Sequence, residues 1–521
     1  MKYDANSLPN DPEQLKIMLL ELQDKLANKT SELADSTAEL ARKDLEIQRL
    51  LEGFELAKRK QFGKSSEHIG FGETFNEVED VLDETDKALL AECEGESEVN
   101  VKQKPKRKPL PDYLPRKVVT INIPEEERLC DCCQSPLHTI GEARSEKLEF
   151  IPAHIEVIET IRPKYACKAC EKTGLSNTIK IAPVPPSPIP KGIATASLLS
   201  QIICGKYQYA LPLYRQETLF GELGITLSRQ TMSDWIIKTS ALFAPVYDLL
   251  KASLLQQRVI HADETTVNVI NSEKTKSYMW VYCSGSDKPR GGKIPNIVLF
   301  DYHNSRAASC VVDYLGDYTQ YLQVDGYQAY GKTKAKLACC MAHARRKFIE
   351  AQTAQGKTRK GKADVIINLI AKLYKIESQI KGKEPEEKVM LRQKQSTPII
   401  DKITAWVIEH KDKIPPTQKL GEAIRYWLNQ ESKLRVYLED GNIAIDNNRA
   451  ERAVKPFVIG RKNWLFSNTE RGASASAMLY SIIESAKAND VHIESYMTTC
   501  LDELAKKPSS VEHLLPWRFN R

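Results

Sequence analysis

Five short apolar segments between residues 259 and 343 limit the fold of this chain more than any other sequence feature. They are rich in β-branched and aromatic residues, and turn-forming residues separate them, which predicts strands. The segments are residues 259–270, 277–284, 296–303, 321–330 and 337–343. The polar run NSEKTK predicts a hairpin between the first two, and a helix is expected over residues 304–316.

The order β-β-β-α-β-α-β of these elements predicts an RNase H-like α/β domain. Asp263 lies on the first predicted strand, and Asp325 ends the fourth strand just before Gly326. Strands one and four are neighbours in such a fold, so the two carboxylates are expected to meet. An isolated Asp at a strand end is usually a turn residue, and only the ordered pair favours a functional site.

A third acid is expected on a later helix. Residues 351–440 are charged and helix-prone, which predicts an all-helical insertion. After it, Asp446 or Asn447 can cap a helix whose first turns carry Glu451. A helical Glu usually lies on a solvated face, so the candidate rests on its place after the insertion and among basic residues.

Three carboxylates in these positions suit phosphodiester chemistry. Two Mg²⁺ ions about 3.5–4 Å apart can activate a water or 3′-hydroxyl and stabilise the leaving oxygen. Mg²⁺ takes hard oxygen ligands and keeps several waters, so Asp263, Asp325 and Glu451 with a substrate phosphate would suffice. A cleft for DNA must also offset phosphate charge. The predicted backbone contacts are Arg452, Lys455, Arg461 and Lys462, whereas Arg345 and Arg346 are DNA contacts or a solvated pair.

Two C-x-x-C knuckles predict a structural zinc site. Cys130 and Cys133 form the first, Cys167 and Cys170 form the second, and strand-like residues lie between them. Four thiolates suit tetrahedral Zn²⁺ and leave no open position, whereas the alternative is buried reduced cysteines. Cys132 is a surplus thiol that could replace Cys133. The pair Cys340-x-x-His343 has ligand spacing as well, but it lacks a second pair nearby in sequence.

The N-terminal residues carry a heptad repeat. One stripe is apolar throughout, and its companion is apolar only at its two ends, which weakens the repeat and can fix its register. The apolar stripe is Leu19, Leu26, Leu33, Leu40, Ile47 and Phe54. This pattern favours a coiled coil that joins copies of the chain, and the alternative is a single amphipathic helix packed on its own domain.

The residues before the predicted sheet also contain a candidate DNA-binding helix. A Gly-containing turn precedes Ser228, and Arg229 and Gln230 then begin a helix that Trp235 and Ile236 anchor. A helix-turn-helix presents polar residues to a DNA groove in this way. A plain helical hairpin packed on the next domain explains the pattern equally well.

These features together predict a multidomain α+β protein, because 521 residues exceed what one hydrophobic core supports. A Pro-rich run at residues 182–192 marks one boundary. The expected parts are a coiled-coil helix (1–60), a charged linker with a basic arm (61–117), a small zinc-binding β module (118–182), a helical DNA-binding region (191–255), the RNase H-like core (256–350 and 441–500), its all-helical insertion (351–440) and a C-terminal tail (501–521).

Composition excludes some classes and permits others. The net charge of +6 permits nucleic-acid binding without requiring it. Twelve cysteines are too few for a disulfide-stapled secreted scaffold of this length. No run of about 18 apolar residues occurs, so we expect no signal peptide and no membrane span. The expected location is the cytoplasm, in association with the nucleoid.

The same residues closely resemble the transposases of insertion sequence family sixty-six. The resemblance extends over nearly the whole chain, and its later motifs are specific in combination. Besides the zinc knuckles, the matching motifs are FGKSSE (62–67), KYQYALPLYRQE (206–217), SRQTMSDW (228–235), HADET (261–265), VDGYQAY (324–330), MAHARRKF (341–348), DNNRAERAVKP (446–456), GRKNWLFSNT (460–469) and LLPW (514–517).

The resemblance implies a DDE transposase with a leucine zipper, a zinc module and a catalytic domain interrupted before its glutamate. Asp263 and Asp325 match the two aspartates of the family, and Glu451 matches its glutamate. It further implies two catalytic Mg²⁺ ions and one structural Zn²⁺. The implied partners are the terminal inverted repeats of the element, target DNA, further copies of the chain and accessory proteins of the same element. Cys132 departs from the pattern and leaves the first-knuckle ligand open.

Two other functions stay open at this point. One is an RNase H-like nuclease that cleaves DNA without strand transfer. The other is an inactive, zinc-containing DNA-binding regulator derived from a transposase. The three acids and the C-terminal motifs favour the active enzyme.

Overall fold

A computed structural model describes seven ranges of the chain and divides it into two compact units. The described residues are 11–62, 117–118, 155–165, 179–274, 276–286, 295–354 and 361–519. Residues 1–83 and 183–521 belong to the larger unit, and residues 84–182 belong to the smaller one.

A six-stranded mixed sheet forms the centre of the larger unit. Its first five strands lie in the order β5-β4-β3-β6-β7, with antiparallel pairing among β3, β4 and β5 and parallel pairing from β3 through β6 to β7. A last short strand, β8, pairs with the far end of β3. The strands are β3 (Val259–Asn271), β4 (Lys276–Ser284), β5 (Ile297–His303), β6 (Tyr321–Val324), β7 (Lys336–Cys339) and β8 (Ser467–Thr469).

Helices cover both faces of this sheet, which explains why its strands are apolar without alternation. On β5, Phe300 packs against Phe457 and Tyr480 of two C-terminal helices, at ring distances of 6.3 and 5.5 Å. On β4, Tyr282 points to the opposite face, where it stacks 3.9 Å from Tyr314. The three helices are α6 (Ala308–Leu315), α12 (Asn448–Trp464) and α13 (Glu470–Ala488).

The expected strands are found, with three differences in the second half of the sheet. The expected fourth strand, residues 321–330, ends at Val324. The helix expected between the fourth and fifth strands is only a 3₁₀ turn, Gln328–Lys332. The expected fifth strand, residues 337–343, ends at Cys339, and helix α7 (Met341–Ala354) begins two residues later. Met341 and Phe348 are buried at 0% exposure on this helix, so apolar content alone did not separate strand from helix here.

The segment predicted as an insertion is helical throughout its described residues. After α7, four further helices lie between the two sequence segments that were predicted to form the core. They are α8 (Lys362–Gln379), α9 (Pro385–Gln395), α10 (Thr397–His410) and α11 (Lys419–Leu434). Helix α11 packs against α7 and β7, which brings the insertion beside the edge of the sheet.

Four helices lie between residue 196 and the first strand of the sheet. They are α2 (Ala196–Tyr207), α3 (Leu213–Glu222), α4 (Arg229–Leu242) and α5 (Ala244–Leu255). Ser228 caps α4, because its Oγ accepts the N–H of Thr231 at 3.2 Å. Trp235 and Ile236 are buried, and α4 packs against α13 as well as against α2 and α3. The end of the chain adds α14 (Ile493–Ala505), which packs on α2.

The longest helix, α1 (Pro12–Phe62), leaves its heptad stripe exposed. Leu26 is 70% exposed and Leu33 is 68% exposed. Near its C-terminal end, Glu52 accepts the N–H of Lys419 at 3.1 Å, so α1 touches the start of α11. None of the described helices is both long and apolar enough to cross a membrane.

The smaller unit contains one described strand pair, β1 (Lys164–Tyr165) with β2 (Lys180–Ile181). The segment before it, residues 155–163, forms no strand, although its sequence pattern is strand-like. Val157 is 93% exposed and Ile161 is 77% exposed, so none of the described residues buries these apolar side chains. The four predicted zinc ligands and Cys132 lie outside the described residues.

Candidate active site

The two aspartates meet because β3 and β6 are parallel neighbours. Val259 pairs with Tyr321, so both strands run in the same direction, and Asp325 directly follows the last residue of β6. Burial raises the pKa of Asp263 well above its usual value, and the nearby carboxylates of Glu264, Asp325 and Glu451 raise it further. The predicted acids therefore lie close enough to repel one another, on elements far apart in sequence.

Glu451 reaches this place because the start of α12 is fastened to β3. Asp446 Oδ1 accepts the N–H of Asn448 at 3.3 Å and so caps the helix. The amide of Asn447 donates to the carbonyl of Ala262 at 2.8 Å, and its Oδ1 lies 3.2 Å from Nδ1 of His261. Asn447 is 1% exposed, so it joins helix and strand as a buried polar link. We predicted it only as a possible cap.

Asp325 is held by the turn that follows it and by the helical insertion. The N–H of Tyr327 donates to Oδ1 of Asp325 at 2.8 Å, and the hydroxyl of Tyr426 on α11 donates to its carbonyl at 2.8 Å. Gly326 has a φ of +101°, and a Cβ there would lie 3.1 Å from the Tyr426 hydroxyl. Only glycine fits this turn without strain. The sequence did not indicate that Tyr426 would reach the site.

A fourth carboxylate, Glu264, lies beside the three predicted acids. Its side chain is 3% exposed, and it accepts hydrogen bonds from the Tyr330 hydroxyl at 2.5 Å and from Nε of Arg306 at 2.9 Å. Burial raises the pKa of Glu264, whereas these two hydrogen bonds lower it. Sequence reasoning missed both Glu264 and Arg306, because the partners lie more than forty residues away along the chain.

Cys340 and His343 also adjoin the third acid. His343 Nδ1 lies 3.8 Å from Oε1 of Glu451, and the ligand atoms of all three residues lie within 4.8 Å of one another. The backbone N–H of Asn447 points to Sγ of Cys340 at 3.2 Å. Burial raises the pKa of Cys340. Cys340 and His343 have no further ligand nearby in sequence, but in the structure Glu451 of α12 lies beside them.

The donor chemistry of the site fits a hard divalent cation. Asp263, Asp325 and Glu451 offer carboxylate oxygens, which are the ligands that Mg²⁺ prefers. Burial first, and then the neighbouring carboxylates, raise the pKa of Asp263, so its negative charge is unfavourable in these surroundings. A bound cation would relieve that repulsion, so these three residues could hold Mg²⁺.

The predicted DNA contacts differ in how far solvent reaches them. Arg229 and Gln230 lie exposed at the start of α4, which is where a DNA groove could meet them. The others lie on α7 and α12. Lys462 is exposed, Arg346, Arg452, Lys455 and Arg461 are half-buried, and Arg345 is buried.

Two of these arginines have structural contacts that the sequence did not indicate. Arg345 is 5% exposed, because α7 starts early enough to place it one turn after the buried Met341. Its side chain is therefore largely shielded from solvent, and its predicted contact with DNA stays a prediction. Arg461 donates through Nη1 to the hydroxyl of Thr265 at 3.1 Å and also contacts Thr266, so it ties α12 to β3.

Comparison with known protein families identifies the class of protein to which this chain belongs. A family model described as "Transposase IS66 family" matches residues 191–475, which is more than half of the chain and includes all three acids. A second, "zinc-finger binding domain of transposase IS66", matches residues 127–171. A third, "Transposase C of IS166 homeodomain", matches residues 49–119. The acidic centre formed by Asp263, Asp325 and Glu451 thus lies within the transposase match.

The chain is a member of the IS66 transposase family, as its resemblance predicted. The chain is also similar to three proteins from Sinorhizobium fredii, each named an uncharacterized protein. Protein y4jD is 34% identical over 79% of this chain and 81% of its own length, and y4hP is 33% identical over 81% and 78%. Protein y4qI is 32% identical over 100% of this chain and 99% of its own length. No solved structure matches the chain.

The zinc-finger match spans all four predicted zinc ligands and supports a structural zinc. It begins before Cys130 and ends after Cys170. The family matches also support DNA as the partner of this chain.

Proposed function

We propose that this transposase binds the ends of its own mobile element, cleaves phosphodiester bonds there and joins the ends to target DNA. The proposal rests on one observation above all. Asp263, Asp325 and Glu451 come together from a central strand, its parallel neighbour and a late helix, within the region that matches the transposase family. This arrangement supports the predicted RNase H-like core and a DDE mechanism.

Asp263, Asp325 and Glu451 would hold two Mg²⁺ ions. When bound, such ions activate the attacking hydroxyl and stabilise the leaving oxygen of a phosphodiester. The chain contributes a prearranged set of acids: the N–H of Tyr327 orients Asp325, and Asn447 fastens the helix of Glu451 to β3. Because these contacts already exist, little reorganisation is needed when DNA enters.

The DNA path is proposed to follow the basic residues around this centre. Arg452 and Lys455 lie half-buried on α12, within four residues of Glu451. Lys462 lies exposed in the last turn of the same helix. Such side chains offset phosphate charge and fix the duplex without reading its sequence. Arg229 and Gln230, at the exposed start of α4, are proposed to contact the element ends.

Two further parts complete the proposal. Cys130, Cys133, Cys167 and Cys170 would hold one structural Zn²⁺, because four thiolates close a tetrahedral site. Purified protein should then contain about one equivalent of zinc, and Cys167→Ser should lose it, whereas well under one equivalent in the wild type contradicts the site. Comparing Cys132→Ser with Cys133→Ser identifies the first-knuckle ligand.

The N-terminal helix is proposed to join copies of the chain. Its exposed leucine stripe has the spacing of a coiled coil, so a second copy of α1 would cover it. Transposition brings two DNA ends together, and an oligomer offers one site for each end. Accessory proteins encoded by the same element are a further proposed set of partners.

One assay tests the catalytic proposal against its alternatives. The protein is incubated with labelled duplexes carrying the terminal inverted repeats that flank its gene, together with target plasmid and Mg²⁺. Strand-transfer products support the transposase, cleavage alone indicates a nuclease without transfer, and binding without either indicates an inactive regulator.

Matched variants then assign the acids. Asp263→Asn, Asp325→Asn and Glu451→Gln should each reduce cleavage at least about a thousandfold and leave DNA binding intact, because each removes a proposed metal ligand. Asp317→Asn serves as the control, since its side chain is 93% exposed and outside the site. Wild-type cleavage by any of the three variants removes that residue from the mechanism.

A further inference from the structure

We propose that Arg306 is a phosphate-binding residue for the DNA strand at the acidic centre, held in place by Glu264 and Tyr327. The inference rests on the proposed function and names one contact within it. Its ligand is a single phosphodiester group next to the bond that is cut. Arg306 is not among the residues predicted to contact DNA. It lies in the loop between β5 and α6.

The Arg306 side chain is held from two sides. Its Nε donates to Oε1 of Glu264 at 2.9 Å, and its Nη2 contacts the same oxygen. Its guanidinium carbon lies 3.8 Å from the centroid of the Tyr327 ring, and the Tyr327 hydroxyl donates to the Arg306 carbonyl at 2.9 Å. A carboxylate on one edge and an aromatic ring on one face fix the plane of the guanidinium.

Both holding residues are attached to the predicted catalytic acids. Glu264 directly follows Asp263, and its N–H donates to Oδ1 of Asp263 at 2.8 Å. Tyr327 donates its N–H to Oδ1 of Asp325, also at 2.8 Å. Arg306 is therefore linked to two of the three acids, through Glu264 to Asp263 and through Tyr327 to Asp325.

The charge and exposure of Arg306 and Glu264 point to an anionic ligand. Glu264 is 3% exposed, whereas Arg306 is 41% exposed, so the carboxylate faces inward and the guanidinium faces solvent. Glu264 already accepts a hydrogen bond from the Tyr330 hydroxyl at 2.5 Å. The Nη1 group of Arg306 makes none of the hydrogen bonds found among the described residues, which leaves donors on the solvent side.

Phosphate is the anion that this position suits. A DNA strand that reaches Asp263 and Asp325 must bring its own negative charges beside four carboxylates. A guanidinium stays charged at every physiological pH and binds phosphate through two parallel N–H groups. Because the plane of Arg306 is already fixed, little side-chain entropy is lost when a phosphate binds.

The chain offers a matched control in Arg258. It directly precedes β3, five residues before Asp263 along the chain. Like Arg306, it is an exposed arginine that pairs with a buried carboxylate: its side chain is 65% exposed, and that of its partner Asp440 is 3% exposed. It shares the pairing but not the place beside the acids.

The experiment measures the coupling between Arg306 and single phosphates. Duplexes with the terminal inverted repeat carry a neutral methylphosphonate at one position at a time around the cleavage point. Wild type, Arg306→Gln, Arg306→Lys and Arg258→Gln are compared for binding in Ca²⁺ and for cleavage in Mg²⁺. Melting temperatures establish that each variant is folded.

We expect Arg306→Gln to weaken wild-type cleavage about 10- to 100-fold, the effect of one lost charged hydrogen-bonded pair. A methylphosphonate at one position should reduce cleavage by the wild type by a similar factor. The same methylphosphonate should reduce cleavage by Arg306→Gln by less than about twofold. Arg306→Lys should lie between, and Arg258→Gln should equal the wild type. The salt dependence of binding should fall by about one phosphate contact in Arg306→Gln.

Two outcomes overturn the inference. One is equal methylphosphonate penalties in wild type and Arg306→Gln at every position. The other is recovery of wild-type cleavage in the double variant Glu264→Gln/Arg306→Gln, which would mean that Arg306 only neutralises Glu264. The binding measurements in Ca²⁺ do not require cleavage. A wild type that binds but never cuts therefore counts against the proposed function and leaves the Arg306 test readable.

Discussion

The N-terminal helix and the central sheet solve the problem of burying apolar side chains in opposite ways. In α1, Leu26 and Leu33 are 70% and 68% exposed, although their heptad spacing is regular. In β4, Trp280 and Tyr282 are fully buried by helices from the same chain. Helices of the same chain thus bury the sheet. The leucine stripe on α1 is left exposed by the described residues, and a second copy of α1 is proposed to bury it. The stability of the sheet should therefore depend on core packing, whereas burial of the α1 stripe should depend on protein concentration.

The largest expected difference comes from the same substitution in both regions. Phe300→Ala removes a ring that is 1% exposed and packs between Phe457 and Tyr480, so it should destabilise the larger unit by about 3–5 kcal/mol. Phe54→Ala removes a ring that is 64% exposed on α1 and should cost under about 0.5 kcal/mol.

Urea unfolding followed by tryptophan fluorescence measures both variants, because all six tryptophans lie outside α1. Low protein concentration keeps any association of α1 from contributing to the midpoint. Equal shifts for Phe300→Ala and Phe54→Ala would mean that the two regions are not independent.

The second prediction concerns what covers the stripe on α1. Leu26→Asp/Leu33→Asp should raise the dissociation constant of the oligomer at least about 100-fold, because each buried leucine contributes about 1.5–3 kcal/mol. Sedimentation velocity over a concentration series measures this. Ser31→Asp/Ala38→Asp is the matched control, since it adds the same charges seven residues apart on another face of α1. A wild type that stays monomeric at high concentration contradicts the coiled coil.

A smaller effect is expected at the link between β3 and α12. Asn447→Ala removes the partner of His261 Nδ1 and of the Ala262 carbonyl, and it should destabilise the fold by about 1–3 kcal/mol. Asn268→Ala on the exposed side of β3 is the control. Because α12 carries Glu451, cleavage by Asn447→Ala should fall as well. An unchanged urea midpoint would show that packing alone holds this helix.

The smallest predicted effect is a pH dependence at Glu484 on α13. Burial raises the pKa of Glu484, although Lys487 and Arg449 oppose the rise. Its folded pKa therefore lies above its unfolded pKa, so its contribution to stability is complete below the unfolded value and is lost as pH rises through the folded value. Glu484→Gln should melt higher relative to wild type at pH 8 than at pH 5.

Glu39→Gln on α1 is the control for this measurement, because its side chain is 66% exposed. Its melting temperature should follow the wild type at both pH values. A Glu484→Gln difference that is constant with pH would remove the carboxylate as its cause.

The strand pattern was predictable because burial on both faces gives continuous apolar segments with turn residues between them. The boundary between β7 and α7 was not, because Cys339 and Met341 are both apolar and buried in either conformation. In the smaller unit, the alternation around Val157 predicted strands that residues 155–163 do not form. Alternation stabilises a strand only where a second surface covers the apolar face.

The acids themselves were predictable from their context, whereas their surroundings were not. Asp263 and Asp325 could be paired because strand order follows from element order. The contacts of Arg306 with Glu264, and of Tyr426 with Asp325, join residues 42 and 101 positions apart. No local pattern marks such pairs, since each residue alone looks like a solvated charge or a core aromatic.

The sequence by itself therefore determined most of the elements, the candidate acids and the family of this transposase, because periodicity and motif are local properties. Only the tertiary structure decided which polar residues meet at the acidic centre and which candidate arginines are buried. Arg345 and Arg306 are equally charged in the sequence. Helix phase turned Arg345 into the core, and a distant carboxylate and ring held Arg306 at the surface beside Asp263 and Asp325.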